Sequence, residues 1–324
     1  MTEKIRVVGL DEFDDLTLDE EVDLEDFKEL EPAGELEAPS GGFKLPAGYL
    51  SNSQAEMYLR CPKQYEFRYV KKISRPPSVV ATQGSGIHHA LEHTHHHIVD
   101  KGVPAPTTEL EDVYTTAFET VKPDIPKEAW DQEGVTEGAL KDMGIKLVRL
   151  YNLQFAPKVK PQVKDGVRGI EKRFEILVAG VPMVGIIDLI DSNAEGGVTD
   201  IEKEIIRQHG GNIPTMFETA IADFKTKAKS MSAAEVESSM QLTLYSYAEQ
   251  IPLVRFDQLL KLKTPKVTRT MAMRTTQDHQ WMKQVVHGVA HAIHAGVFPP
   301  CSPTSWCCSS RWCGFYSQCR GKKR

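Results

Sequence analysis

No run of apolar residues in this 324-residue chain reaches the roughly 20 that a membrane-spanning helix needs. No secretory signal opens it either, so a cytoplasmic protein without a membrane partner is the expectation. Cysteine is scarce: six residues are too few for a disulfide scaffold and suit metal ligation better. Basic residues are scarce at one end. Residues 1–40 hold 15 acidic and 3 basic side chains, a charge of −12. With few aromatics and a Pro-Gly-rich end at Pro39-Ser40-Gly41-Gly42, residues 1–45 read as an acidic, mostly disordered tail. The remainder holds 30 acidic and 36 basic side chains, so the net charge of −6 conceals a body of +6. A mildly basic body suits a partner that carries phosphates. Residues 46–324 are long enough for one large domain.

Within that body one stretch stands out: Ile221-Ala222-Asp223-Phe224-Lys225-Thr226. As a strand it turns Ala222 and Phe224 to one face and Asp223 and Lys225 to the other. Buried charges are costly unless paired or bound to a metal. Alone, such a pair reads as a structural ion pair closing a strand end. Upstream, Val184-Gly185-Ile186-Ile187-Asp188-Leu189-Ile190 is apolar on both faces, with Asp188 its one charge, as in a central strand. Two carboxylates from neighbouring strands can hold a hard cation such as Mg²⁺. A lysine beside them can orient the attacking water and offset charge on a phosphate. Gln241 and Tyr245 share a helical face at i, i+4. Gly84-Ser85-Gly86-Ile87-His88 reads as a glycine-rich turn entering a helix, with His88 in its first turns and able to ligate a metal.

The order G-x-x-x-H, G-x-x-D, D-x-K, Q-x-x-x-Y resembles the PD-(D/E)XK nucleases, and within them the RecB-like branch. Three further stretches are similar to that branch: Ser51-Asn52-Ser53 through Cys61-Pro62-x-x-Tyr65, the strand pair from Phe174 to Asp188, and the cysteines near the C-terminus. Phage exonucleases related to CRISPR-associated RecB-like nucleases, and the nuclease domain of AddB, look most alike. The resemblance covers roughly residues 46–319. It implies an α/β fold: a mixed central sheet flanked by helices, a restriction-endonuclease-like core, with a helical insert and a Cys-rich C-terminal tail. It also implies Mg²⁺ or Mn²⁺ held by His88, Asp188, Asp223 and the Phe224 carbonyl, with Lys225 positioning the water. Gln241 and Tyr245 would orient Lys225 or the substrate strand.

Taken in order, Ser51-x-x-Gln54 and Ser53-x-x-Glu56 both fit a capping box for a helix that stops near Cys61-Pro62. Tyr65, Phe67 and Tyr69 read as core, and Ser74 to Ser78 as a connection. A helix is expected over 85–99, with His89, His93, His95, His96 and His97 on a solvated face. Residues 107–155 read as two or three helices. Strands are expected at Ile170 to Val178 and Met183 to Asp191 around a turn at Ala179-Gly180-Val181-Pro182, then at 254–263 and 266–275. A helix follows from Gln277 to about Ala295. The insert from Asn193 to Thr219 is polar, longer than the short connection usual in the family, and suits a surface loop near the site.

The last cysteines are Cys301, Cys307, Cys308, Cys313 and Cys319. Cys308, Cys313 and Cys319 with distant Cys61 give four thiolates, enough for a [4Fe–4S] cluster or a structural zinc. The split arrangement resembles the cluster of AddB-like nucleases and would staple the chain ends across the core. Cys307 beside Cys308 leaves the register open, and Cys301 reads as a spare thiol. The expectation is a metal-dependent DNA exonuclease acting on single-stranded or end-containing DNA, in phage or bacterial recombination or repair, inside a bacterial host cell. The acidic tail reads as a solvated segment, with a mimic of DNA charge or a docking segment for a replication or recombination partner as the alternative. The alternatives are a non-catalytic DNA-binding or adaptor protein on the same fold, and a zinc-stapled structural protein.

Overall fold

A five-stranded mixed sheet carries the site, and its strands follow from side-chain alternation. The structure, a computed structural model, describes residues 36, 38–74, 79–121, 125, 130, 134–193 and 218–321. After a two-residue hairpin of β1 (Val163–Lys164) and β2 (Val167–Arg168) come β3 (Ile170–Val178), β4 (Val181–Asp191), β5 (Ala220–Lys227), β6 (Leu253–Leu260) and β7 (Lys266–Met273). Their order in the sheet is the chain order, β3-β4-β5-β6-β7. Only β5 and β6 run parallel; the other neighbours are antiparallel.

Helices cover both faces. They are α1 (Asn52–Arg60), α2 (Pro62–Tyr65) continued by a π turn over Glu66–Val70, α3 (Val79–Lys101), α4 (Thr107–Val121), α5 (Glu137–Gln154), α6 (Ala233–Glu237), α7 (Met240–Glu249), α8 (Thr276–His294) and α9 (Tyr316–Arg320). One core joins Ile221, Val254 and Phe256 of the sheet to Tyr58, Leu244 and Met282 of α1, α7 and α8. The other joins Ala222, Phe224 and Leu259 to Leu91, Tyr114 and Leu147 of α3, α4 and α5. Successive residues of β5 thus enter opposite cores, as a period of two requires. The result is the α/β fold expected, a mixed sheet between helices, with α4 and α5 as the helical insert. No helix among the described residues is long and apolar enough to cross a membrane.

Several boundaries differ from the sequence reading. Gly84 and Gly86 lie inside α3, which begins at Val79 and puts His88 in its third turn. The reason is packing: a side chain at Gly86 would meet the Tyr114 ring at 3.1 Å, so this glycine lets α4 approach. At α1 the Ser51 hydroxyl caps Gln54 N–H, and Ser53 does not act as the cap. Cys61 is extended and Pro62 opens α2, where its missing N–H costs nothing. β4 begins two residues early and β6 ends three early. Nearly all of the acidic tail lies outside the described residues, as does the 193–219 insert apart from Asn193, Glu218 and Thr219.

Candidate active site

The site forms where two strands part. β4 and β5 pair from Asp191↔Ala220 to Leu189↔Ala222 and then separate. The next residues along are Asp188 and Asp223, 8 % and 2 % exposed. In place of a ladder bond, Phe224 N–H donates to Asp188 Oδ2 at 2.7 Å. α3 brings His88 over the gap. Its Nε2 lies 3.1 Å from the Phe224 carbonyl oxygen, and its Nδ1 lies 3.5 Å from Asp188 Oδ2.

A carboxylate that the sequence reading passed over completes this group. Glu171 Oε1 is 3.9 Å from His88 Nδ1. His88, Glu171 and Asp188 are the one trio of His, Cys, Asp or Glu among the described residues whose ligand atoms all lie within 4.8 Å. Glu171 sits between the pairs Ile170↔Leu189 and Lys172↔Ile187, across from Asp188. Its φ is 43°, a conformation in which a non-glycine side chain is strained. In sequence, Glu171-x-Arg173-x-Glu175 alternates like a solvated strand face, which is why it gave no signal.

The other half of the site is a closed ring of polar contacts. Lys225 Nζ is 2.6 Å from Asp223 Oδ2 and donates to Gln241 Oε1 at 2.9 Å. Gln241 Nε2 donates to Asp223 Oδ1 and to Tyr245 Oη, both at 2.8 Å. All five residues expected to be catalytic are therefore gathered in one place. Asp223 turns toward Lys225 and Gln241, while its charge also acts on His88 and Asp188.

Crowding of acids sets the protonation. Burial, then the Asp223 charge, pushes Asp188 up to about 8 against the lowering pull of His88 and the Phe224 N–H. Burial alone would lower His88, but Glu171, Asp188 and Asp223 outweigh it and raise it to about 9. Burial would likewise lower Lys225, yet Asp223, with Asp188 and Glu56 of α1, holds it above its ordinary value. The lysine is thus a fixed cation. A metal taken up by His88 Nδ1, Glu171 and Asp188 must displace protons from His88 and Asp188. The donor set, one imidazole and two carboxylates facing one point, fits a hard divalent cation.

His95 departs from the expected solvated face. It is fully buried, stacks on Phe224 and meets the Tyr151 hydroxyl at 2.9 Å. Seven residues after His88, it lies on the same helical stripe, a period that the sequence already contained. His93, His96 and His97 are half-exposed, paired with Glu109, with Arg168 and with the Val103 carbonyl.

The six cysteines, none in a disulfide, line one small pocket at the end of α1. The Cys301 amide donates to Cys61 Sγ at 3.4 Å, and Cys301 and Cys307 sulfurs are 3.7 Å apart. Burial and the thiols of Cys61, Cys308 and Cys313 raise Cys319, against the pull of Arg320. Cys61 therefore lines the same pocket as Cys308, Cys313 and Cys319, though its close thiol partner is Cys301. Cys301 is not isolated, since it touches Cys61. Cys307 is buried against the Arg60 carbonyl. No three of the sulfurs lie within 4.8 Å of one another. Four thiolates 2.3 Å from a tetrahedral zinc would be spaced by about 3.8 Å.

A family profile described as the PD-(D/E)XK nuclease superfamily matches residues 49–202 and 215–320. No curated protein matches the chain. Two solved structures are similar to it, both at 11% identity. One, from Eubacterium rectale and named as a candidate exonuclease, has a TM-score of 0.42 and covers 81% of this chain and 87% of its own. The other, named SSO0001, has a TM-score of 0.38 and covers 86% of this chain and 88% of its own.

Proposed function

The chain belongs to the PD-(D/E)XK nuclease superfamily, and on that premise we propose that it is a metal-dependent DNA exonuclease of the RecB-like branch. The observation that carries this is the meeting of His88, Glu171 and Asp188 near a half-buried Lys225 that Asp223 keeps charged. Mg²⁺ or Mn²⁺ held by the trio, with Asp223 and the Phe224 carbonyl adjoining, would polarise the scissile phosphate and acidify a bound water. Lys225 is fixed from two sides by Asp223 and Gln241, so its ammonium is aimed before substrate arrives. It holds the attacking water and offsets negative charge as the phosphate oxygens crowd. Tyr245 stays protonated, raised chiefly by burial, and locks the Gln241 amide that orients the lysine.

The cysteine pocket supports a [4Fe–4S] cluster on Cys61, Cys308, Cys313 and Cys319 over zinc. No three of the sulfurs lie within 4.8 Å of one another, wider than the roughly 3.8 Å spacing of thiolates on one tetrahedral ion, although Cys301 and Cys307 stand 3.7 Å apart. The cluster ties α1 to the C-terminal tail in a domain of residues 46–324. The acidic stretch ahead of Ala38 would serve a protein partner, while Leu45 and Phe43 pack on the nuclease body, Phe43 against His287, His291 and His294. The setting is DNA recombination or repair in a phage-infected or bacterial cytoplasm.

The test is hydrolysis of matched linear and covalently closed DNA with Mg²⁺ or Mn²⁺, with EDTA as control. Linear DNA is expected to be degraded to short products while circles persist. Cleavage of circles at the same rate would replace the exonuclease with an endonuclease. No metal-dependent cleavage of either would return the chain to a DNA-binding adaptor.

A further inference from the structure

We propose that Trp306, Trp312 and Arg311 form a stacking platform for the bases of single-stranded DNA, at the cysteine-lined end of α1. The inference rests on the nuclease reading for its substrate class, but on other residues. Trp306 and Trp312 are 67 % and 56 % exposed, although indole rings are normally withdrawn from water. They meet edge to face, centroids 6.2 Å apart, and the Arg311 guanidinium lies 5.1 Å from the Trp312 centroid. Two exposed rings with a cation over one is a surface without use for the core.

Charge selects the partner. From His279 to the end the sequence has no Asp or Glu, against six Lys and Arg. Such a segment attracts a polyanion, and exposed rings beside it select one whose bases are unstacked. In a duplex the bases are already stacked on each other and offer no face to an indole. Position supports the same partner. Cys307, the neighbour of Trp306, is held by the Arg60 carbonyl at the end of α1. Glu56, whose charge acts on Lys225, lies four residues earlier on that helix, about 6 Å along its axis. A strand resting on the rings thus lies at the C-terminal end of the helix that carries Glu56, whose charge acts on Lys225.

The experiment measures binding of a labelled short oligothymidylate and of a blunt hairpin duplex to the full chain in EDTA. The variants are Trp306→Ala, Trp312→Ala, their double, and the double Trp→Phe. Iron content and melting temperature are read beside each to separate stacking from support of the cysteine loop. The double Ala variant is expected to lose about tenfold or more in oligothymidylate affinity, little in duplex affinity, and the Phe pair to retain most of it. Trp306→Ala, at the more exposed ring, carries the test if the double fails to fold. Unchanged affinity overturns the platform and leaves the rings to a protein partner. An equal loss for duplex also overturns it, since that marks general charge contact. A wild-type protein that cleaves DNA while its Ala variants bind normally sinks this inference alone. One that binds through the rings yet never cleaves sinks the proposed function alone.

Discussion

At the scale of single residues, the site is built from groups whose charge the fold cannot relieve by itself. Asp188 and Asp223 come from neighbouring strands, and Glu171 is forced beside them by a left-handed turn of backbone. Asp188, Asp223 and Lys225 were legible because each interrupts an apolar strand. Glu171 was not, because its role comes from a φ of 43° that no residue pattern encodes. Glu171→Gln keeps the shape and removes the charge. Calorimetric titration with Mn²⁺ is expected to show affinity at least about tenfold weaker, in a protein of unchanged melting temperature. Equal affinity would remove Glu171 from the metal site. His95 gives a second outcome. Burial lowers it to about 3 from its ordinary 6.5, with Arg255 and His96 lowering it and Asp257 opposing. Between those values the unfolded chain takes up a proton that the folded chain refuses. The His95 contribution is therefore present above pH 6.5 and is lost as pH falls toward 3, by about 1.4 kcal/mol per pH unit. Thermal melts from pH 7 to 5 should show a shallower decline in His95→Phe than in wild type. Parallel slopes would mean that His95 titrates normally.

At the scale of elements, glycine decides how closely layers approach. Gly185, three residues before Asp188 on β4, lies beneath the Phe174 ring of β3. A Cβ there would stand 2.4 Å from Phe174 Cζ. Phe174 also packs edge to face on Tyr245, 5.8 Å between centroids, so this stack reaches from the hairpin to the helix that carries Gln241. Gly185→Ala is expected to destabilise the fold by about 1–3 kcal/mol through overpacking, read by urea unfolding. A change below about 0.5 kcal/mol would show that the ring moves aside freely. The spacing of glycine and aspartate was visible in sequence, but the partner that makes the glycine necessary was not, since Phe174 reaches it through strand pairing. The strands themselves were legible within a few residues, because alternation and turn residues are local. The start of α3 was misread because glycines that serve close helix packing look like a turn.

At the scale of the whole molecule, α1 links two centres. The Glu56 charge acts on Lys225, and Cys61 caps the same helix among the cysteines. The gathering of cysteines about 250 residues apart was suggested by their count and by family likeness; their contacts with Cys301 and Cys307 needed the fold. Cys61→Ser and Cys313→Ser are expected to lose iron and melting temperature alike, because each would remove one thiolate of the proposed shared cluster. Full iron in Cys61→Ser with none in Cys313→Ser would confine the site to the tail. The central claim is that a metal trio and a pre-aimed lysine make one hydrolytic centre, and the initial rate of nucleotide release from linear DNA in Mg²⁺ tests it most directly, wild type against Lys225→Ala. The account predicts release that EDTA abolishes in wild type, and a fall of about 10²–10³-fold in a Lys225→Ala protein that still folds and binds metal. Release by folded Lys225→Ala at the wild-type rate would contradict it.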